Sequence, residues 1–378
     1  MEKCNKKEER DLNLCRFVYL KKSLDNFIPP AVNSWAKEKQ RLDSIDELIK
    51  TIEFHSQFYE NDDLRIFPKS QKELWEEGVE IEEDGGQEHA EIEKNEKYVG
   101  SKWGKYLRAP EIFFKILEKG KDKLVPLKSI ADVRFGIKTG ANEFFYLTED
   151  EIKKRGIEKE FWMHKDEKGN WGPNYVVTSP RECYSLILNP KELQYRVLII
   201  NKNKKELKGT NVLKYLLMGE RKGFQDRPTC STRELWYDLG EQKPPDQIWF
   251  KAFHDRVVAP INEAGIYSSD RFYAIYFHNK KRGLLPSLAL NSTIQHLFVE
   301  LWGRVVLGQG ALDNMTYEAA AMPVLANIKL DASTEKRLAE ILREYSKREI
   351  GPIFDEVGAN ITKEVSLDKV KPDRRELD

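Results

Sequence analysis

Long apolar runs are missing from this chain. Hydrophobic residues make up 40% of its 378 residues, but no stretch approaches the roughly 18 consecutive apolar residues that a membrane-spanning helix needs. The segment 1–11 mixes Lys, Glu, Asn and Asp, and it contains neither an apolar signal core nor an arginine-rich presequence. These absences predict a soluble protein of the cytoplasm.

Cysteine is scarce and scattered. Cys4, Cys15, Cys183 and Cys230 lie far apart, and no two of them have the spacing of a zinc knuckle or a redox dithiol. The six histidines are equally dispersed and have no partner at ligand spacing. We therefore expect reduced thiols and no metal site.

An excess of one charge is also absent, since Lys and Arg together number 63 and so do Asp and Glu. This balance gives no whole-chain argument for a nucleic-acid ligand. The distribution is uneven, however. Residues 201–282 contain 16 Lys and Arg against 10 Asp and Glu, with aromatic residues between them, whereas residues 71–97 are strongly acidic. The basic stretch is therefore a candidate for phosphate contacts.

Apolar periodicity predicts a mixture of strands and helices. Strands are predicted at 15–24, 144–147, 184–188, 197–200, 248–253 and 272–277. Helices are predicted at 31–54, around 110–120, at 287–302 with Gly303 as the stop signal, and after Asp331. Segment 76–97, which contains Gly85-Gly86, predicts an exposed acidic loop, and the polar end of the chain has the pattern of a truncated product without a closing element.

The segment RFGIKTGANEFF, at 134–145, is the most specific motif. Gly136 and Gly140 are predicted to allow a tight reversal with positive φ, which places the donors Lys138, Thr139 and Asn142 at its tip. Such a loop is suited to approach a phosphate or a base edge. An ordinary hairpin without a ligand is the alternative that local features leave open.

Four segments taken in order carry a family resemblance: SKWGKYLRAPEIFFKIL (101–117), RFGIKTGANEFF, SSDRFYAIYF (268–277) and LNSTIQHLFVELWGRVVLGQGAL (290–312). They resemble the C-terminal half of TaqI-like adenine-N6 DNA methyltransferases, which includes the specificity domain found in restriction-modification enzymes. The resemblance implies double-stranded DNA as the partner. It also implies S-adenosyl-L-methionine as the methyl donor of the complete family enzyme.

The resemblance also implies a domain plan and an α+β fold. Residues 1–100 would be the end of an α/β catalytic domain with the acidic loop, and 101–122 a connecting helix. Residues 123–328 would form a mostly β target recognition domain, followed by a helical tail at 329–378. The strand at 15–24 would then be a late catalytic-domain strand, downstream of the catalytic motif.

The catalytic motif of that family is missing. Methyl transfer to an exocyclic amine needs a Pro-Pro elbow led by Asn, Asp or Ser and followed by an aromatic residue. The two Pro-Pro pairs, Pro29-Pro30 and Pro244-Pro245, have neither flank. Gly308-Gln309-Gly310 follows a predicted helix rather than a strand, so it does not indicate a cofactor pocket. We expect no activity and no bound cofactor from this chain alone, and a separate catalytic domain or subunit as its partner.

The candidate DNA contacts are cationic or amide side chains near the loop and in the basic stretch. They are Arg134, Lys138, Thr139, Asn142, Arg221, Lys222, Gln225, Arg227, Arg233, Lys251, Arg256 and Arg271. Two other interpretations stay open at this point. The chain could be an active methyltransferase with an unrecognised cofactor site, or a protein-interaction module that uses its acidic segment and terminal helix.

Overall fold

A computed structural model describes residues 13–31, 34–81, 96–98, 103–165, 169–280, 283–305, 312–359 and 367–378. The chain divides into two compact units, Met1–Lys115 and Ile116–Asp378. The fold is mixed α+β, as the sequence predicts, with several small sheets. Among the helices that these ranges include, none is long and apolar enough to cross a membrane.

The first unit is built on a small antiparallel sheet. Its strands are β1 (Leu14–Leu20), β2 (Tyr59–Glu60) and β3 (Leu64–Ser70), in the order β1-β3-β2, and a second pair consists of β4 (Val79–Ile81) and β5 (Glu96–Tyr98). Its helices are α1 (Trp35–Phe54), α2 (Gln71–Glu76) and α3 (Gly104–Arg108). The strand predicted at 15–24 and the helix predicted at 31–54 are confirmed. Most of the predicted acidic loop, 82–95, lies outside the described residues.

Helix α4 (Glu111–Gly120) contains the boundary between the units. It begins directly after Pro110, whose fixed φ suits a helix start and whose missing N–H costs nothing there. Phe113 is fully buried on the apolar face that the sequence predicts. The predicted helix at 110–120 is therefore confirmed.

The second unit contains the remaining elements. Its strands are β6 (Leu124–Pro126), β7 (Ala131–Phe135), β8 (Tyr146–Thr148), β9 (Met163–Lys165), β10 (Trp171–Pro173), β11 (Tyr175–Val177), β12 (Tyr195–Val197), β13 (Gln247–Phe250), β14 (Ala252–Phe253), β15 (Tyr267–Ser268), β16 (Phe272–Phe277), β17 (Arg304–Val305), β18 (Leu312–Asp313) and β19 (Pro323–Leu325). Its helices are α5 (Asn142–Phe145), α6 (Glu149–Arg155), α7 (Asn211–Arg221), α8 (Pro228–Ser231), α9 (Leu284–Ala289), α10 (Thr293–Trp302), α11 (Thr316–Ala321), α12 (Ala332–Tyr345), α13 (Ile353–Glu356) and α14 (Pro372–Leu377). One short 3-10 helix lies in the first unit, at Leu24–Asn26, and others lie in the second, at Leu127–Ser129, Lys159–Phe161, Pro180–Glu182, Pro190–Glu192, Phe224–Asp226 and Leu367–Lys369.

Two sheets of the second unit determine where the glycine loop lies. The antiparallel sheet β13-β16-β7 has β7 at its edge, and the mixed sheet has the order β15-β11-β12-β8. Strand β16 matches the predicted 272–277, and its neighbour β15 belongs to the other sheet. A hydrophobic core lies at the β15-β11-β12-β8 sheet, and it includes Phe144, Phe145, Val197, Tyr215 and Trp236.

Three predicted strands differ in the structure. Residues 144–147 begin as helix α5 and only then enter β8, because both Phe144 and Phe145 are fully buried and a strand would turn them to opposite faces. Segment 184–188 forms only a bridge between Ile187 and Ile261. Strand β12 ends at Val197, after which Leu198 N–H donates to the Phe145 carbonyl at 2.9 Å.

The helix predicted at 287–302 is two helices, α9 and α10. Asn291 interrupts it because its side chain hydrogen bonds to the backbone N–H and carbonyl of Ala259 at 2.8 and 3.0 Å. Ser292 then starts α10 by accepting from Gln295 N–H at 3.2 Å. Gly303 caps the C-terminus of α10, as predicted.

The tail also departs from the expectation. Helix α12 is confirmed, but the polar residues near the end form helix α14, with Arg374 fully buried, where we expected no closing element. Glu356, fully buried, accepts from Arg348 at 2.7 Å and from Lys371 at 3.0 Å. Such a network could not be predicted from the charged residues of the sequence, because the partners of each ion pair come together only on folding.

Candidate nucleic-acid interface

The glycine loop is held against strands β15 and β16. Gly136 N–H donates to the Phe272 carbonyl at 3.0 Å, and Ile137 N–H donates to the Ser268 carbonyl at 2.7 Å. A Cβ on Gly136 would lie 2.1 Å from the carbonyl oxygen of Ser269. Gly136 is therefore needed for close backbone approach. The expectation of a positive φ at this residue was wrong, since its φ is not in the left-handed region.

Gly140 meets the expectation, with φ of +75°. A Cβ there would also lie 2.7 Å from the Thr229 side chain, so two constraints favour glycine. The loop is not a hairpin, because it leads from β7 into α5 and then β8, which belongs to a different sheet. The ordinary-hairpin alternative is therefore wrong.

Thr139 is buried and makes hydrogen bonds within the loop. It is 1% exposed, its hydroxyl donates to Oδ1 of Asn142, and the same hydroxyl accepts from Ala141 N–H at 3.1 Å. The assignment of Thr139 as a DNA contact stays a prediction, and its hydroxyl is engaged within the loop. Asn142 is exposed, as expected for a contact residue.

Arg233 holds the loop from behind. Its guanidinium donates to the carbonyls of Lys138, Thr139 and Trp236, the last two at 3.0 and 3.1 Å. Arg256 is similarly engaged, since it donates to the Pro180 carbonyl at 2.9 Å. Because its donors already bind backbone carbonyls, we assign Arg233 the role of positioning the loop.

A pair of lysines surrounds an aromatic ring at the start of the loop. The Nζ atoms of Lys138 and Lys251 lie 3.6 and 4.4 Å from the centroid of Phe135, whose residue is 42% exposed. Neither lysine forms an ion pair with a described carboxylate. Burial lowers the pKa of Lys251 and outweighs the opposing charges of Asp270 and Asp313, while the charge of Lys138 lowers this pKa further. These two cations, which form no ion pair within the described part of the chain, make a local site for an anion.

Two other predicted cations are neutralised by carboxylates. Arg134 pairs with Asp132 at 2.6 Å, and Arg227 pairs with Glu143 at 2.5 Å. Hydrogen bonds from His278 and then Arg134 lower the pKa of Asp132. Both pairs are at the surface, where exchange of a carboxylate for a phosphate costs little.

The remaining predicted residues lie on or just after helix α7. Arg221 and Lys222 are exposed at its C-terminal end, and Gln225 is half-buried, with its amide nitrogen 3.1 Å from Asp226 Oδ2. Arg227 connects this segment to the loop through Glu143. No described contact joins Arg221 or Lys222 to the loop itself.

A cleft of about 430 Å³ lies beside the loop. It is lined by Asn142, Glu143, Tyr146, Thr178, Ser179, Tyr195, Ser269 and Arg271. The structure thus brings Asn142 and Arg271 together, although they are far apart in the sequence. Ser269, Tyr195 and the exposed ring of Phe135 were not predicted as site residues. The sequence signals were the presence of Ser269 in the SSDRFYAIYF segment and of Phe135 in RFGIKTGANEFF.

The fold and this surface define a mixed α+β domain with a glycine-anchored cationic loop at a sheet edge. The sequence model described as "Type II methyltransferase M.Eco57I, C-terminal domain" matches residues 100–361. The chain therefore belongs to this family of methyltransferase C-terminal domains from restriction-modification enzymes. The methyltransferase resemblance is confirmed at this level.

Two solved structures match this chain over most of its length. One is the type IIG restriction endonuclease BpuSI, with 11% identity, a TM-score of 0.46 and coverage of 96% of this chain and 46% of that one. The other is the type IIL restriction-modification enzyme MmeI in complex with DNA, with 12% identity, a TM-score of 0.42 and coverage of 98% and 46%. The chain thus spans under half the length of either. No curated protein matches its sequence.

Proposed function

We propose that this chain recognises double-stranded DNA sequence-specifically, as the specificity part of an adenine-N6 DNA methyltransferase in a restriction-modification system. The observation that carries the proposal is a pair of lysines, Lys138 and Lys251, that lie on the exposed ring of Phe135 at the start of the anchored loop and form no ion pair with a described residue. Membership of the methyltransferase C-terminal family supports the same assignment.

In this proposal, phosphate contacts provide most of the affinity. Each Lys or Arg that neutralises a phosphate adds about 0.9 to the salt slope on duplex DNA. Lys138 and Lys251 are the first candidates, and the exposed Arg221, Lys222 and Arg271 extend the surface. Because these contacts are independent of sequence, they hold the duplex in register rather than select a site.

Base selection falls to the loop. The Oδ1 atom of Asn142 already accepts from Thr139, so its amide N–H₂ is the group left to meet a base acceptor such as N7 or O6 of guanine. Arg233 and the two glycines keep this amide in a fixed position. A fixed donor loses little entropy on binding, which favours discrimination between bases.

The methyl-transfer chemistry belongs, in this proposal, to a catalytic domain or subunit other than this chain. A Pro-Pro elbow must offer a free backbone carbonyl to the target amine, but the Pro245 carbonyl accepts from the Asn262 side chain at 2.7 Å. Among the described strands the parallel pairing is confined to β11 with β15, so no alternating βα cofactor pocket forms from these residues. We infer that S-adenosyl-L-methionine is bound by that other domain or subunit.

The test is binding of a labelled duplex of random sequence at low and high salt, measured by fluorescence anisotropy. We expect binding at 50 mM salt that weakens by more than tenfold at 200 mM, since several phosphate contacts are lost together. Absence of binding at low salt, or an affinity independent of salt, contradicts the proposal. Methyl transfer measured with and without a catalytic subunit then separates a recognition part from an active enzyme.

A further inference from the structure

The cleft beside the loop contains a polar side chain without a partner. Ser269 is 1% exposed, and its Oγ makes no hydrogen bond to any residue that the structure describes. Its backbone is fixed on both sides, since Ser269 N–H donates to the Val177 carbonyl at 3.0 Å and its carbonyl accepts from Phe272 N–H at 3.1 Å. A buried hydroxyl without a partner lowers stability. Ser269 lines the cleft, and the fold leaves its hydroxyl without a described partner, at a cost that no described contact offsets.

The other free polar groups in the cleft are mainly donors. The guanidinium of Arg271 is exposed and forms neither an ion pair nor a hydrogen bond with the described part of the chain. Asn142 Oδ1 accepts from Thr139, and its amide nitrogen makes no hydrogen bond to a residue that the structure describes. A hydroxyl, an amide N–H₂ and a guanidinium together suit a ligand rich in acceptor oxygens.

The charge of the cleft also favours an anion. Glu143 is its acidic lining residue, but this carboxylate is paired with Arg227 at 2.5 Å. The hydrogen bond from Arg227 holds the pKa of Glu143 below its ordinary value, so the carboxylate stays ionised and paired. Arg271 is then left as the uncompensated charge of the cleft, and it is positive.

We propose that this cleft is a phosphate pocket that receives one backbone phosphate of duplex DNA. Arg271 supplies the charge and Ser269 supplies a neutral hydrogen bond, while the Asn142 amide is kept for a base edge. The cleft volume of about 430 Å³ exceeds what a bare phosphate needs and suits a sugar-phosphate unit. This inference rests on the proposed function, and it makes Ser269 and Arg271 residues that set the register of the duplex against the loop.

The pocket predicts an unusual combination of effects for Ser269→Ala. Removal of an unpartnered buried hydroxyl leaves the thermal midpoint unchanged or raises it, whereas DNA affinity falls at least threefold with the same salt slope. The matched control is Ser185→Ala, because the Ser185 hydroxyl donates to the Ile187 carbonyl at 2.7 Å. That control lowers the thermal midpoint and leaves DNA affinity as it was. If Ser269→Ala behaves like the control, Ser269 is a structural residue and the proposal is overturned.

Arg271→Gln tests the charge of the ligand. We expect the slope of log affinity against log salt to fall by about 0.9, the value for one phosphate. An unchanged slope with a weaker affinity indicates an uncharged base edge in the cleft and overturns the phosphate assignment. Wild-type affinity in both Arg271→Gln and Ser269→Ala overturns the inference, while the proposed function stands.

Inorganic phosphate separates the pocket from DNA binding. At constant ionic strength, added phosphate is expected to raise the thermal midpoint of the wild-type chain but not that of Arg271→Gln, in support of the pocket. If phosphate raises the thermal midpoint while the wild-type chain binds no duplex, the ligand of the pocket is free phosphate. In that case the proposed function fails, and so does the assignment of the pocket to a DNA phosphate. If neither phosphate nor duplex has an effect, the pocket itself is refuted.

Discussion

Gly136→Ala is the substitution that most sharply tests the structure of the loop. Its new Cβ would lie 2.1 Å from the Ser269 carbonyl oxygen and 2.6 Å from that of Ser268, whereas ordinary contacts begin near 3.4 Å. Both neighbours are backbone atoms in or beside β15, so they cannot rotate away as a side chain would. The loop must therefore move outward by more than about 1 Å.

The movement breaks the contacts that anchor the loop. The hydrogen bonds from Gly136 N–H at 3.0 Å and Ile137 N–H at 2.7 Å are both lost or stretched. At about 1 kcal/mol each, with the steric cost added, the free energy of unfolding falls by roughly 2 to 4 kcal/mol. Because Lys138 and Asn142 move with the loop, DNA affinity is expected to fall by an order of magnitude or more.

The assays are thermal unfolding and duplex binding by anisotropy, both below the unfolding midpoint of the variant. Gly172→Ala is the matched control, because a Cβ there would meet its nearest neighbour, Cε1 of His164, at 4.0 Å. We expect the control to retain the midpoint and the affinity of the wild-type chain. A Gly136→Ala variant with wild-type stability and binding would refute the close approach on which the loop geometry depends.

Three further predictions follow from the charges of the site and tail. Burial lowers the pKa of Lys251, and phosphate binding favours its protonated form. We therefore expect DNA affinity to fall as the pH rises through the pKa of Lys251, which lies below that of an ordinary lysine. Affinity measured across alkaline pH should lose this dependence in Lys251→Arg. Arg233→Gln frees the loop carbonyls and weakens binding without a change in the salt slope; a slope lower by about 0.9 would instead make Arg233 a phosphate contact. Burial raises the pKa of Glu356, but hydrogen bonds from Arg348, Gly351 and Lys371 outweigh this effect and bring the pKa to about 2. The ionised carboxylate therefore stabilises the folded state by roughly 3 kcal/mol at pH 7, and this stabilisation is lost as the pH falls from about 4.5 toward 2. Glu356→Gln should therefore destabilise at pH 7 and much less near pH 2 in urea unfolding, and an equal loss at both values would contradict this reasoning.

The α+β fold class and the long periodic elements could be predicted from the sequence, because burial of one face leaves a repeating apolar pattern. Helix α12 and strand β16 are examples. The split between α9 and α10 could not be predicted, since it depends on hydrogen bonds from Asn291 to Ala259, a residue distant in the sequence. Local patterns do not record such contacts.

The glycine loop could be found from the sequence, but the roles of its residues could not. Thr139 has the composition of a contact residue, yet it is buried because its hydroxyl bonds to Asn142. Phe135 and Ser269 gain their significance only from what folding brings beside them, two lysines in one case and the cleft in the other. The Gly308-Gln309-Gly310 segment lies outside the described residues, so its interpretation stays a prediction.

We propose that Lys138 and Lys251, the lysines around Phe135, contact DNA phosphates. The most direct test compares the salt slope of duplex binding for the wild-type chain, for the double variant Lys138→Gln/Lys251→Gln and for Lys347→Gln. The last variant is the control, because Lys347 lies in the tail and is already paired with Glu344 at 2.7 Å. Two separate phosphate contacts predict a slope lower by about 1.8 in the double variant and unchanged in the control. A double variant with the wild-type slope would contradict the claim.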